Sequence, residues 1–295
     1  MNASMPSSRY VPAPWQQLRD EGRRLGTESS PRLRGDKDVL QSVKLHAGKW
    51  GQRGGANVFA TTSSKAMMPK FYAGGSIKWN ASLFDLANQL ARPDRDIYQF
   101  GVYTGTTLKL IGERISGFGS LWAFDSFQGF PEEDTSRGAA RVKGWNAGRD
   151  SASDALGIHS THELLRRLRQ LVGQAVSNKT TFIQGFYNES LTDALARHHS
   201  FQPALLVDLD CDLHVSTMDA FKWLMRHRLL MPLSLVRYDD FGAPGMVGSS
   251  PQALAHEQAS ARWGLEWRSL GATRSARAFQ LLSIGKPAGL FTGVF

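Results

Sequence analysis

At 295 residues the chain is long enough to bury a full core and to carry one large domain with extensions. Its single cysteine, Cys211, excludes a disulfide within the chain and a cysteine-based zinc site, and fits a reducing, cytoplasmic setting. The net charge of +9 is uneven: up to Gly75 there are twelve basic residues against five acidic ones, and beyond it the signs nearly balance.

No apolar run is long enough to span a membrane, and the first nine residues lack the apolar core of a secretory signal. The segment 1–75 is rich in Ser, Gly, Pro and Arg and has no sustained periodicity. It reads as a basic, partly disordered arm, either solvated or touching a polyanion. Its early acids count against a transit peptide. The folded domain is expected over 76–295.

From 76 the chain becomes regular. Asn80 suits a helix N-cap, and Leu83, Phe84, Leu86, Ala87 and Leu90 mark one face of a helix over 81–92. Pro93-Asp94 ends it. An apolar strand over 97–100 then runs into a turn that contains Gly101 and Gly105. A helix over 106–115 and a strand over 121–124 come next, and the strand ends on Asp125. Strand, glycine turn, helix, strand and acid make the first half of a nucleotide-binding unit. The glycines let backbone approach a ligand, and the acid can accept hydrogen bonds from ribose hydroxyls. Two glycines and one aspartate also arise often by chance, so the signal needs support from the remainder of the chain.

A long irregular stretch over 126–160 succeeds this unit, of the length usual for a lid or a substrate wall. Trp145 within it reads as a packing residue that can also wall a substrate. Helices over 162–172, 191–198, 216–228 and 252–263 then alternate with strands over 181–185, 204–207 and 233–236. Such alternation predicts an α/β fold, with a mostly parallel sheet covered on both faces. Two closing strands, 265–270 and 278–284, have a short connection and should form an antiparallel hairpin at one sheet edge.

The acids are the second strong feature. Asp208, Asp210 and Asp212 alternate at the end of one strand, so extended geometry would aim them the same way. Asp239 and Asp240 end the next strand and precede a Gly/Pro turn. Ligands of open parallel sheets bind beyond the carboxyl ends of the strands, where these acids and Asp125 would gather. Carboxylates crowded there need a cation or a proton, and oxygen-only ligands suit Mg²⁺ or Mn²⁺. The plain structural alternative is helix capping, which suits Asp212 and Asp219 better than Asp239-Asp240.

The series Phe100-Gly101-Val102-Tyr103-Thr104-Gly105, Phe124-Asp125-Ser126-Phe127-Gln128-Gly129-Phe130-Pro131-Glu132, Gln184-Gly185-Phe186-Tyr187, Asp210-Cys211-Asp212-Leu213 and Tyr238-Asp239-Asp240-Phe241 resembles the macrocin O-methyltransferase family. The resemblance runs in order from about 76 to 285. It implies a Rossmann-like class I methyltransferase fold with a seven-stranded sheet. It also implies an S-adenosylmethionine-dependent enzyme that methylates sugar hydroxyls with a divalent metal. By resemblance, Gln99, Gly101, Val102, Tyr103, Gly105 and Thr106 lie about the methionine part of the cofactor. Asp125 takes the ribose, Ser126 and Phe127 flank the adenosine, and Gly185 and Phe186 lie near the adenine. Asp210, Asp239 and Asp240 match the metal ligands. The family usually has Glu at the position of Gln99, Gly at that of Cys211 and Tyr at that of His214.

Methyl transfer to an alcohol needs a deprotonated or polarised oxygen and in-line alignment. Asp210 and His214 are the base candidates, although a lone histidine at a helix entry is more often a packing residue. Cys211 among acids is a poor thiolate. The expected partner is a small hydroxylated molecule, and a homo-oligomer is compatible with the chain. The competing reading is a non-catalytic scaffold, or a nucleic-acid-associated protein that uses the basic arm. The acidic crevice would repel phosphates from the site itself. A dehydrogenase is weaker still, since the turn lacks the three-glycine fingerprint.

Overall fold

The computed structural model describes residues 81–137, 142–242, 249–273 and 275–285. The expected basic arm and the Asn80 cap lie outside these residues. Helix α1 (Ala81–Leu90) leads into strand β1 (Asp96–Phe100), helix α2 (Thr106–Arg114) and strand β2 (Leu121–Asp125). Helices α3 (Ala152–Leu156), α4 (Thr161–Val172) and α5 (Gln174–Ser177) precede strand β3 (Thr180–Gln184). Short helices α6 (Tyr187–Ser190) and α7 (Asp193–His198) lead to β4 (Ala204–Leu209). Then come α8 (His214–Arg226), β5 (Leu235–Tyr238), α9 (Pro251–Trp263), β6 (Leu265–Ala272) and β7 (Arg277–Ile284).

The sheet has the order β3-β2-β1-β4-β5-β7-β6. Strands β1 to β5 pair in parallel, and β7 runs antiparallel between β5 and β6. The chain steps outward from β1 through β2 to β3, then returns to the far side of β1 for β4. This reversal opens a crevice at the carboxyl ends of β1 and β4, the usual ligand position in an open α/β sheet. Among the described residues no helix is long and apolar enough to cross a membrane.

Strand alternation sorts the core into two chemistries. Tyr98, Phe100, Trp122 and Phe124 point to one face and pack with Phe201 and Trp223. Ile97, Leu121, Ala123, Leu206 and Leu235 point to the other, against Leu83 and Phe84 of α1, Leu108 and Ile111 of α2 and Leu164 and Leu168 of α4. The helices stop where local chemistry ends them. Ser160 caps the start of α4 by accepting from the Glu163 amide. Helix α9 begins with Ser250 and Pro251 and ends at left-handed Gly264.

Several boundaries differ from the sequence pattern. The helix expected over 81–92 stops at Leu90, and the one expected over 191–198 runs only over 193–198, preceded by a separate short helix at 187–190. The stretch 126–160 contains a 3-10 turn (Thr135–Arg137) as well as α3. The largest consequence is in β4, which continues to Leu209 and so takes Asp208 into the sheet.

Candidate active site

Four consecutive strand ends are stitched together around the crevice. The Gly101 amide donates to the Phe124 carbonyl (2.9 Å) and the Asp210 amide to the Phe100 carbonyl (2.8 Å). The Gly185 amide donates to the Asp125 carbonyl (3.0 Å). Gly101 has φ +90°, and a Cβ there would sit 1.9 Å from the Asp210 carbonyl oxygen, so only glycine fits. Tyr103, at φ 48°, is turned out to solvent at the crest of the turn.

Asp125 holds this turn in place. Its Oδ2 accepts from the amides of Val102 (2.6 Å) and Tyr103 (2.9 Å), and its Oδ1 accepts from Phe127 (2.6 Å). Burial pushes the carboxyl up, and the three amides pull it back. Tyr187 stands behind it: the phenol donates to the Phe124 carbonyl (3.2 Å) and the ring meets Phe100 edge-on. Burial keeps this phenol protonated, and Cys211 and Asp125 push it further up.

The cavity in front of these groups measures about 500 Å³, within the range of small-molecule sites. Its near wall is the turn with Asp125 and Ser126. Gly185, Phe186 and Tyr187 form one side, and Gly129, Phe130, Pro131 and Asp150 of the long loop form another. Gly129 and Phe130 are braced by 148–149, through paired bonds between Phe130 and both Gly148 and Arg149 (2.9 Å each). Trp145 packs edge-on against Phe130 behind this wall and does not line the cavity.

The floor is acidic. Asp210, Cys211, Asp212 and Asp239 line it. Burial pushes the Asp210 carboxyl well above the usual range; Asp239 adds to this and Arg237 opposes it. Burial does the same to Asp212, which also shares a side-chain hydrogen bond with Asp240. Two carboxyls in contact hold a proton between them unless a cation takes its place. Arg237, 1% exposed, bridges Asp208 Oδ1 (2.5 Å) and Asp239 Oδ1. Among the described residues no three acid, histidine or cysteine side chains stand in metal-holding geometry.

The macrocin O-methyltransferase family matches residues 94–257, more than half of the chain. The chain belongs to the macrocin O-methyltransferase family. No curated protein matches it. Solved structures similar to this methyltransferase include the O-methyltransferase NovP, 17% identical over 71% of this chain and 84% of that one, with a TM-score of 0.46. Calicheamicin methyltransferase CalS11 is 14% identical over 95% and 99%, with a TM-score of 0.48. TomG from Streptomyces achromogenes, an O-methyltransferase involved in tomaymycin synthesis, is 14% identical over 68% and 78%, with a TM-score of 0.43.

Not every residue singled out in the sequence of this methyltransferase reaches the cavity. Gly101, Val102, Tyr103, Thr106, Asp125, Ser126, Gly185, Phe186, Asp210 and Asp239 line it. Gln99, Gly105, Phe127, His214 and Asp240 do not. Gly105 starts α2 and faces Val172 of α4. Phe127 is buried in the core and contributes only its amide, to Asp125. His214 corrects the expectation of a base in the site. Its ring is fully buried and its Nε2 pairs with Gln258 Oε1 (2.9 Å), between α8 and α9. Gln99 is likewise fully buried, and among the described residues its carboxamide meets no hydrogen-bond partner.

Nor do the three alternating acids of β4 act together. Asp208 is inside the sheet on Arg237, and Asp212 leaves extended geometry at φ 57°. Asp212 does not cap α8 either: the N-cap is Leu213, with no side-chain bond of its own. Asp219 pairs with Lys222 along the helix (2.6 Å). Residues not marked as site residues from sequence are Thr107, whose hydroxyl reaches Asp210 Oδ2 (3.4 Å), Tyr187, Asp150 and Arg237. Tyr187 sits directly after Gly185-Phe186, and Arg237 is a lone charge within an apolar strand. Both were visible signals. Asp150 lies at the far end of the long loop and carried none.

Proposed function

We propose that the protein transfers the methyl group of S-adenosylmethionine to a hydroxyl of a small molecule of the sugar or natural-product type. The observation that carries this reading is the turn at 101–106, pressed onto Asp210 and latched by Asp125 at the sheet's switch point. The residues fit the cofactor. Gly101 gives close backbone approach, and three of the four acceptor positions on the Asp125 carboxylate are used, leaving one for a ribose hydroxyl. Gly185 and Phe186 offer a flat apolar wall to a base. Bound cofactor supplies the electrophilic methyl on a sulfonium. The chain's own residues align the acceptor, exclude water with the 129–131 wall and take up the hydroxyl proton. Asp210 is the proton acceptor: its carboxyl lines the cavity floor, with Oδ2 held 3.4 Å from the Thr107 hydroxyl.

Asp210, Asp239 and Asp240 would hold Mg²⁺ or Mn²⁺, which would lower the pKa of the acceptor hydroxyl. Their oxygens suit a hard cation and their crowding favours one. One oxygen of Asp239, however, is already occupied by Arg237. The contact between Asp212 and Asp240 supports a second reading, in which a shared proton takes the cation's place. The acidic floor disfavours phosphate-rich acceptors and nucleic acid. Calorimetric titration of S-adenosylhomocysteine, and then methyl transfer to a panel of hydroxylated acceptors with and without EDTA, tests the reading. Failure of both S-adenosylmethionine and S-adenosylhomocysteine to bind at millimolar concentration would end it.

A further inference from the structure

Helix α8 begins two residues after Asp212 and lacks a cap of its own. Its N-cap is Leu213, and its first turn contains no acid. The orphan amides at a helix start need acceptors. Here they find one 81 and 82 residues away in sequence, on the long loop. Glu133 Oε2 accepts from the His214 amide (2.7 Å) and Oε1 from the Val215 amide (3.0 Å). A carboxylate in this place also meets the positive end of the helix dipole. The two ends of this contact belong to opposite walls of one cavity. Gly129, Phe130 and Pro131, just before Glu133, form the loop wall; Asp210, Cys211 and Asp212, just before the helix, form the floor. Asp212 is held at φ 57°, and the Leu213 amide turns back to the Cys211 carbonyl (2.6 Å). The floor's backbone is therefore bent sharply at the point where Glu133 grips the helix.

We infer that Glu133 is a positioning residue: it latches the loop wall to the acidic floor, and its release opens the cavity. In this arrangement the loop is not held by apolar packing alone but by two charge-assisted bonds to backbone amides, which no substitution at 214 or 215 short of proline removes. The latch couples loop closure to the placement of Asp212, so a bound molecule under the wall is retained for as long as the bonds persist. The role in ligand retention rests on the cofactor reading above; the contact itself does not.

The test uses Glu133→Ala and Glu133→Gln in the full chain, with Glu163→Gln, on the exposed face of α4, as control. Hydrogen exchange reads the His214 and Val215 amides in the ligand-free protein, and stopped-flow displacement reads the release of S-adenosylhomocysteine. In Glu133→Ala both exchange and release should rise about tenfold or more, the scale of losing an N-terminal cap. Glu133→Gln, which keeps one acceptor oxygen, should fall between, and Glu163→Gln should match the parent. Parent-like exchange in Glu133→Ala would overturn the contact. Faster exchange with parent-like release would overturn the latch while leaving the cap. If the parent protein binds no S-adenosylhomocysteine, the cofactor reading fails, and unchanged exchange of the 129–131 segment in Glu133→Ala would then overturn the latch.

Discussion

Replacing Asp125 with alanine tests the cofactor cradle most directly, because one carboxylate orders the turn and faces the cavity. The substitution removes three short bonds, to the amides of Val102, Tyr103 and Phe127. Bonds to a charged group contribute about 1.5–3 kcal/mol each when shielded. Two effects reduce the total. Asp125 is only half-buried at the cavity mouth, so water can replace part of what the amides lose. The desolvation that pushes its carboxyl up also disappears with it. The net loss is about 2–3 kcal/mol, a fall in melting temperature of roughly 5–10 °C for a domain of this size. Affinity for S-adenosylhomocysteine should fall about 10- to 100-fold, through the lost ribose acceptor and the loosened turn. Asp125→Asn separates the two effects. Its oxygen can still serve Val102 and Tyr103, but its NH₂ group meets the Phe127 amide, donor against donor. It should be more stable than the alanine variant yet bind as weakly. Calorimetry and thermal melting read both quantities. An alanine variant that melts and binds like the parent would refute both the latch on the turn and the ribose assignment.

Three further outcomes are expected. If a divalent cation takes part, EDTA and Asp240→Asn should each lower methyl transfer by at least tenfold while S-adenosylhomocysteine affinity changes less than about twofold; full activity in EDTA leaves the shared-proton reading. His256, pushed down to about 4 by burial and then by Arg277, has a folded pKa below its unfolded value. Its contribution is therefore complete above pH 6.5 and lost as pH falls toward 4, at most about 3 kcal/mol, and His256→Gln should flatten that acid limb in denaturant titrations. Gly101→Ala should lose more than about 3 kcal/mol, or fail to fold, because its Cβ meets the Asp210 carbonyl. Gly148→Ala, also at positive φ but with open space around it, should lose only about 1–2 kcal/mol, and equal losses would show that backbone conformation alone decides.

What the sequence revealed depended on whether the signal was local. The apolar runs at 97–100 and 121–124, each ending on a turn residue or an acid, predicted two strands, and the structure adds that their successive residues sort aromatic from aliphatic faces. Gly101 and Asp125 were recognisable because their chemistry is written in one turn and one strand end. The far end of β4 was misjudged because the apolar run breaks at Asp208 while the strand continues to Leu209. One more hydrogen-bonded pair, Leu209 with Tyr238, keeps Asp208 inside the sheet. His214 looked like a base because it comes just after two acids, but the helix starts at that residue and turns the ring toward Gln258. Glu133 acts across 81 and 82 residues of sequence, and no local pattern marks such contacts. The family match extends over the same strands and acids, and it leaves the role of each side chain to geometry.

Gln99 shows how a departure from the family pattern can be internal rather than functional. An uncharged residue at this position first suggests a weakened cofactor site. The register says otherwise. Gln99 pairs with Asp208 on β4, and Asp208 pairs with Arg237 on β5, so the three side chains stand in a row on one face of three adjacent strands. All three are buried. The single guanidinium is already shared between Asp208 and Asp239. A carboxylate at 99 would stand beside Asp208 with no second cation in the row. Buried like charges of this kind raise one another's pKa or unfold the site. A neutral amide of nearly the same shape avoids that conflict. The neutral residue at 99 and the buried ion trio are thus one electrostatic solution. Its effect on the cavity is indirect, through the oxygen of Asp239 that Arg237 holds. Gln99→Glu should therefore destabilise the parent protein. In Asp208→Asn, where the neighbouring charge is gone and Arg237 has room for a new partner, the same change should cost little. Equal destabilisation in both backgrounds, read by denaturant titration, would break the link between the two positions.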